Sequence, residues 1–313
     1  MFKYVISAVL AISAASTQAA EEKTLVLTSD NVLVMDSEFT SSSTSAVLAE
    51  AQRLDSKLQS GDPLILVIYS PGGSIQAGLE LADGLKALNR PVHTLTMFAA
   101  SMGFQTVQAL GTRYITHYGT LMTHKASGGF EGEFPGQIDS RYEYWLRRLA
   151  ELDRHVVARS KGKLTAESYR ALYENEYWVD GFGAVDKGLA DEVVKVKCDH
   201  SLSGTKEQNF DFLGLTITLV LSKCPTITGP LDVIVNVHTN QGVMKLADFL
   251  KKGGSLKRPE ETYTGWSEPN SANKTQAPVL NVPEVTMDQI NAAVEKARST
   301  RNIRSKNVLK GIP

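Results

Sequence analysis

The feature that limits the possible folds most strongly is a strand, turn and helix unit that occurs twice in succession. The run LILVIY (64–69) is continuously apolar, as in strands buried on both faces of a sheet, and SPGGS then leads into the helical pattern IQAGLELADGLKAL. The strand VHTLTMF (92–98) likewise leads through AASMG into the helical segment GFQTVQAL. Because each strand is followed by a helix, the sequence predicts an α/β fold with a mainly parallel sheet.

Segments on either side extend this alternation. Within 24–35 we predict a short strand pair around the turn Ser29–Asn31, and the next segment, TSAVLAEAQRLDSKL, has the apolar period of a helix. Downstream we predict strands at RYITH and TLMTH, then the glycine-rich stretch SGGFEGEFPGQ and a long amphipathic helix over 140–160. These elements predict one α/β domain at 24–197.

The N-terminal residues predict export. Residues 1–19 carry Lys3, an apolar run over 5–15 and small residues up to Ala19, after which Glu21 and Glu22 begin. This order is typical of a cleaved signal peptide. An uncleaved membrane anchor is the alternative, but the run is shorter than the roughly 20 apolar residues of a membrane-spanning helix. We therefore expect an exported protein, periplasmic or secreted.

The two cysteines and the region after them predict a separate extension. In an oxidising compartment Cys198 and Cys224 are expected to form one disulfide, with two buried thiols as the alternative. This pair closes the beginning of an extension at 198–252, in which we predict two strands. A flexible linker rich in Gly, Ser, Pro, Asn and Thr follows at 253–285, and a basic helix at 286–313.

The overall charge gives no reason to expect nucleic acid as a partner. The formal net charge is -1, so no global field recruits nucleic acid or an anionic membrane. The basic residues near the C-terminus leave open a local contact with an anionic surface or an envelope partner. Neither an HExxH motif nor a CxxC pair occurs, and we predict no metal and no cofactor.

Ser101 raises the central question of function, since it is the hydroxyl among small residues at a strand-to-helix junction. Such a serine often packs or caps the helix, but a nucleophile also needs a rigid turn of this kind. Gly72 and Gly73, at the end of the preceding strand, could turn backbone N–H groups toward an anionic atom, as an oxyanion hole requires. Neither motif alone decides between the two interpretations.

Four motifs in series carry a resemblance to a known family. They are SPGGS, AASMG, THKASGG and the acidic cluster ENEYW that stands before AVDKGLADEV, in unbroken order within residues 30–196. In this order they resemble the Clp protease proteolytic subunit family, serine peptidases of the ClpP/crotonase superfamily. The resemblance implies a repeated ββα superhelix, assembly into oligomers, and peptide or unfolded protein as substrate.

The resemblance also assigns site residues. Ser101 matches the nucleophile of the family, and His124 matches its general base. The backbone amides of Gly73 and Met102 match its oxyanion hole. The strand that pairs with an extended substrate by backbone hydrogen bonds is implied at Gly128, Gly129 and Phe130.

The family completes a catalytic triad with an acidic residue, and at this position the sequence departs from the family pattern. Glu176 stands where the family keeps an aspartate, and Asn175 stands where an arginine is usual. A glutamate can also orient the histidine, because the role needs a carboxylate hydrogen-bonded to the distal ring nitrogen. We therefore expect Glu176 to complete the triad, with Asp180 as a weaker candidate.

The preferred function is a serine endopeptidase that acts through an acyl-enzyme, outside the cytoplasm and without an ATP-driven partner. A Ser/Lys peptidase similar to signal peptide peptidases is an alternative, with Lys125 or Lys161 as base. A non-catalytic binding or assembly module of the cell envelope is another. An acyl-CoA enzyme of the crotonase branch is disfavoured, because its oxyanion hole needs no serine nucleophile.

Overall fold

The structure, a computed structural model, describes residues 23–57, 62–212, 215–239 and 242–252. The predicted signal peptide, linker and basic C-terminal helix fall outside these ranges and stay predictions. Within these ranges, no helix is long and apolar enough to cross a membrane.

Strands and helices alternate through the first two thirds of the chain. Up to residue 198 the elements are β1 (Thr24–Leu27), β2 (Val32–Met35), α1 (Ser41–Asp55), β3 (Leu64–Ser70), α2 (Ile75–Lys86), β4 (Val92–Ala100), α3 (Met102–Ala109), β5 (Arg113–Thr123), α4 (Gln137–Arg159), α5 (Ala166–Leu172), β6 (Tyr177–Val179), α6 (Gly181–Asp186), β7 (Glu192–Val193) and β8 (Lys195–Cys198). Thr40 caps α1 and Ser74 caps α2, each accepting a hydrogen bond from a first-turn amide. Polar caps thus fix where these helices begin.

The centre of the fold is a six-stranded sheet. Strands β2, β3, β4 and β5 lie side by side in this order and are parallel. β6 pairs antiparallel with the carboxyl end of β5, and β7 pairs parallel with its beginning. The predicted α/β fold with a mainly parallel sheet is confirmed.

The two faces of this sheet are buried by different parts of the chain. Leu64, Leu66 and Ile68 of β3 pack in a cluster with residues of α1, α2 and α3. Ile65 and Val67, which alternate with them, pack in a second cluster with residues of β1 and of the segment after β8. Burial on both faces explains why β3 is continuously apolar.

The structure differs from three expectations about strands: the pairing of the first two, the division of β5, and the strand expected after β5. β1 and β2 do not pair with each other: β1 pairs parallel with β8, and β2 pairs parallel with β3. The turn at Ser29–Asn31 forms, but Leu27 and Leu33 on either side of it bury in different clusters, which separates the strands. RYITH and TLMTH are parts of one strand, β5, and residues 124–131 carry no strand.

The chain after β8 forms a separate antiparallel sheet. A 3-10 helix (His200–Leu202) is followed by β9 (Thr205–Phe212), β10 (Leu215–Ser222), β11 (Pro230–Thr239), β12 (Gly242–Lys245) and α7 (Leu246–Lys251). The strand order is β12, β11, β10, β9. A disulfide joins Cys198 at the end of β8 to Cys224 after β10, so it ties this sheet to the α/β domain. Two strands were predicted here; β9, which is mostly polar, and the short β12 were missed.

A buried arginine connects several segments at the beginning of β5. The guanidinium of Arg113 makes two hydrogen bonds to the carboxylate of Asp191, at 3.0 and 2.9 Å. Its remaining N–H groups donate to Gln108 Oε1 and to the backbone oxygens of Gly188 and Arg159. The Arg113 side chain is only 1% exposed, and all five of its N–H groups have an acceptor.

Candidate active site

Ser101 and His124 meet at the carboxyl edge of the central sheet. Ser101 follows β4 and His124 follows β5, and these strands are parallel neighbours, so their carboxyl ends come together. Nε2 of His124 lies 2.8 Å from Oγ of Ser101, and both side chains are half-buried. A hydroxyl in hydrogen-bond contact with an imidazole is the arrangement that activates a serine nucleophile.

The backbone of Ser101 is held in an unusual conformation. Its φ of 55° and ψ of -117° lie outside the favoured regions for a residue with a side chain. Such a conformation costs about 1–3 kcal/mol and persists only where the surroundings enforce it. Although Ser101 stands at the N-cap of α3, its side chain makes no capping hydrogen bond. The capping role that the sequence left open is therefore wrong.

The glycine turn after β3 lies directly against this serine. Gly72 has a φ of +101°, and a Cβ atom built on it would come within 2.5 Å of the Cβ of Ser101 and 2.9 Å of the nitrogen of Met102. Hydrogen bonds from Phe39 N to Gly72 O and from Ser74 N to Phe39 O, both 2.8 Å, hold the turn. The approach of the two loops thus requires glycine at position 72.

The backbone amides expected to form an oxyanion hole belong to the residues that follow Gly72 and Ser101. Met102 is the first residue of α3, and the amides of a first helical turn have no acceptor within the helix. Gly73 lies between Gly72 and Ser74, whose hydrogen bonds to Phe39 hold the turn. Neither of those hydrogen bonds uses the amide of Gly73. The role of Gly73 and Met102 as oxyanion donors stays a prediction.

Gly72→Ala is expected to lower reactivity of Ser101 toward an active-site probe by more than about tenfold. The added methyl group clashes with Ser101 and imposes a disfavoured φ, so the two loops must move apart. The measurement is the labelling rate with a fluorophosphonate probe, at matched folded fraction. Gly229→Ala serves as control, because a Cβ there has no neighbour within 4 Å. An unchanged rate for Gly72→Ala would contradict the close approach of the loops.

Glu176 makes no hydrogen bond to His124. Its carboxylate accepts a hydrogen bond of 3.2 Å from the indole Nε1 of Trp178, and its side chain is exposed. Its backbone adopts a left-handed φ of 78°. Among the described residues, no carboxylate is hydrogen-bonded to His124. The structure therefore brings together two of the three residues expected to form the triad, and Asp180 is occupied in capping α6.

The two lysines considered as alternative bases are paired elsewhere. Lys125 Nζ contacts Glu174 Oε1 at 2.5 Å, and Lys161 Nζ contacts Asp191 Oδ1 at 3.0 Å. His124 supplies the nitrogen that touches the Ser101 hydroxyl. The geometry thus favours a histidine base.

One cavity is lined by the Ser–His pair, and a second cavity adjoins it. The smaller, of about 190 Å³, is lined by Ser101 and His124. The larger, of about 490 Å³, is lined by the three residues expected to bind substrate, Gly128, Gly129 and Phe130. Ile75, Ala126 and Leu149 line both cavities, so the two cavities are neighbours.

Helix α4 contributes side chains to both cavities, which the sequence did not indicate. Tyr142, Trp145 and Leu149 line the larger cavity, and Leu149 and Asp153 line the smaller one. These residues are spaced three or four positions apart and so lie on one face of the helix. In the sequence this spacing indicates only an amphipathic helix. Which side of α4 meets the site depends on packing, which spacing alone does not give.

Comparison with known proteins supports the same family. The sequence profile of the Clp protease family matches residues 16–197, more than half of the chain. The ATP-dependent Clp protease proteolytic subunit of Ligilactobacillus salivarius is 29% identical over 174 residues, which cover 55% of this chain and 86% of that protein. Proteolytic subunit 1 of the same type of protease from Chlamydia muridarum is 32% identical over 141 residues, covering 43% and 71%.

A serine and a histidine in contact at the ends of neighbouring parallel strands, beside a glycine turn, form the arrangement found in serine hydrolases. With the match over more than half of its length, the chain belongs to the Clp protease family and has the fold of that family. The resemblance drawn from the sequence is confirmed for the family. The match ends at residue 197, before the antiparallel sheet that follows Cys198.

Proposed function

We propose that this protein is a serine endopeptidase that cleaves peptides or unfolded proteins. The observation that carries the proposal is the 2.8 Å contact between His124 Nε2 and Ser101 Oγ. Ser101 Oγ attacks the peptide carbonyl carbon while Nε2 accepts its proton, and the oxyanion lies toward the amides of Gly73 and Met102. His124 then returns the proton to the leaving amine as the C–N bond breaks. Water hydrolyses the acyl-enzyme with the same base.

Substrate is proposed to bind in extended form along residues 127–130. These residues carry no regular secondary structure and line the larger cavity, which is next to the cavity lined by Ser101. Their backbone groups are therefore suited to pair with a peptide strand, a mode that gives affinity with little sequence preference. A folded protein offers no such strand, which supports peptides or unfolded chains as substrates.

We also propose that the protein acts outside the cytoplasm as a homo-oligomer and without an ATP-driven partner. The signal-like residues 1–19 and the disulfide between Cys198 and Cys224 support export. The relatives are named as subunits of ATP-dependent proteases, whereas a periplasmic or secreted protein meets no ATP. The test uses protein isolated from cells and measures its N-terminus and the reactivity of its thiols. An N-terminus near residue 20 together with thiols that resist alkylation would support this compartment. An intact leader with free thiols would exclude it.

Labelling with a fluorophosphonate probe tests the proposed activity. We expect the purified wild-type protein to be labelled, and labelling to be lost in Ser101→Ala and in His124→Ala, because the probe needs an activated hydroxyl. A folded wild-type protein that stays unlabelled would instead favour the non-catalytic binding module.

A further inference from the structure

We propose that Asp153 makes this site select substrates with a lysine or arginine side chain on the residue whose carbonyl is attacked. The inference rests on the proposed peptidase function and adds the chemical class of side chain that the site recognises.

The side chains that line the smaller cavity beside Ser101 and His124 include an apolar part and a polar part. The apolar part of the lining consists of Ile75, Met102, Leu149 and Leu152. The polar part consists of groups that form hydrogen bonds: Gln105, Thr123, Asp153, Tyr169 and Tyr173. A cavity of about 190 Å³ has room for one long side chain.

Asp153 is the carboxylate in this lining, and it is held in place. It lies in α4, and its side chain is 19% exposed. The Tyr173 hydroxyl donates a hydrogen bond of 2.7 Å to Oδ2. Arg170 Nε approaches the same oxygen at 3.6 Å. Both of these contacts use Oδ2, so neither of them engages Oδ1.

The neighbouring charges do not cancel that of Asp153. Arg170 is 61% exposed, so solvent screens its weaker, longer contact. Lys125, also in the cavity lining, is paired with Glu174. Burial raises the pKa of Tyr173 to about 12, and burial likewise raises the pKa of Tyr169. Both tyrosines are therefore neutral at physiological pH, and Asp153 is the one carboxylate among the described side chains that line this cavity.

A cationic side chain matches both parts of this cavity. The methylene stem of lysine or arginine can pack along the apolar walls while the charged end reaches the carboxylate. A purely apolar side chain of equal length would cover the carboxylate without offering it a partner, which is unfavourable. The cavity therefore discriminates by charge at its polar end.

Two matched probes test this inference on the purified full chain. They are peptidyl phosphonate diphenyl esters that differ only in carrying lysine or norleucine at the position that reacts with Ser101. We expect wild-type protein to react with the lysine probe at least about tenfold faster. In Asp153→Asn this rate ratio is expected to fall to about one or below, because the amide carries no charge. Asp83→Asn removes an exposed carboxylate that does not line the cavity and should keep the wild-type ratio.

A small fluorophosphonate without a peptide separates the possible failures. If it labels wild type but the lysine and norleucine probes react equally, the inference is overturned and the peptidase function stands. An unchanged ratio in Asp153→Asn overturns the role of this residue in the same way. If none of the probes labels the folded wild type, the proposed function fails, and this inference fails with it. Should Asp153→Asn not fold, the wild-type ratio decides alone.

Discussion

His124→Ala is expected to lower kcat/KM for an unstructured peptide by about ten-thousandfold, because it removes the residue proposed to accept the Ser101 proton. The backbone amides and the cavities remain, so some catalysis above the uncatalysed rate is expected to persist. The measurement is hydrolysis of an internally quenched peptide. Thermal unfolding of the variant should match wild type, since the half-buried His124 is not part of the hydrophobic core.

Glu176→Gln provides the matched comparison within the same experiment. Glu176 bonds to Trp178 and not to His124, so the loss of its charge is expected to lower kcat/KM by less than about tenfold. A loss as large as that of His124→Ala would show that Glu176 orients the histidine during the reaction. In that case the triad expected from the sequence would describe the working enzyme better than the two-residue contact.

Asp191→Ala is expected to lower the free energy of unfolding by about 3–5 kcal/mol, because it leaves the buried Arg113 guanidinium without its counter-charge. Arg113 also joins α3, the end of α4 and the loop after α6, so its displacement affects several segments. Equilibrium denaturation in urea measures the change, provided that unfolding is reversible. Asp83→Ala, at an exposed position, should shift stability by no more than about 0.5 kcal/mol. Equal effects of the two substitutions would contradict the role of the ion pair.

The same ion pair predicts a loss of stability in acid. Partial burial acts to raise the pKa of the Asp191 carboxyl, but hydrogen bonds from Arg113 and Lys161 outweigh it and hold the pKa well below the ordinary value of 3.8. A depressed folded-state pKa contributes stability that is complete above the unfolded value and is lost as pH falls below it. Wild type should therefore lose stability below about pH 4 more steeply than Asp191→Asn.

Much of the fold could be predicted because local pattern and tertiary burial agree in the central sheet. β3 and β4 are buried strands, and polar caps mark the starts of the helices that follow β2 and β3. β1 and β2 show the limit of this reasoning. Each was correctly predicted as a strand, but a turn signal between two strands does not decide whether they pair with each other or with distant partners.

The sequence by itself determined the strand and helix alternation, the family, and the positions of Ser101, His124 and the glycine turn, because each depends on residue type and on order along the chain. The tertiary structure alone decided that Glu176 bonds to Trp178 rather than to His124, and that Asp153 of α4 lines the same cavity as Ser101. It also decided that β8 carries the disulfide to a separate sheet. The cavity lining and the disulfide depend on how elements far apart in the chain pack together. The direction of the Glu176 side chain also depends on the left-handed φ of that residue. Neither leaves a periodic signal in the sequence.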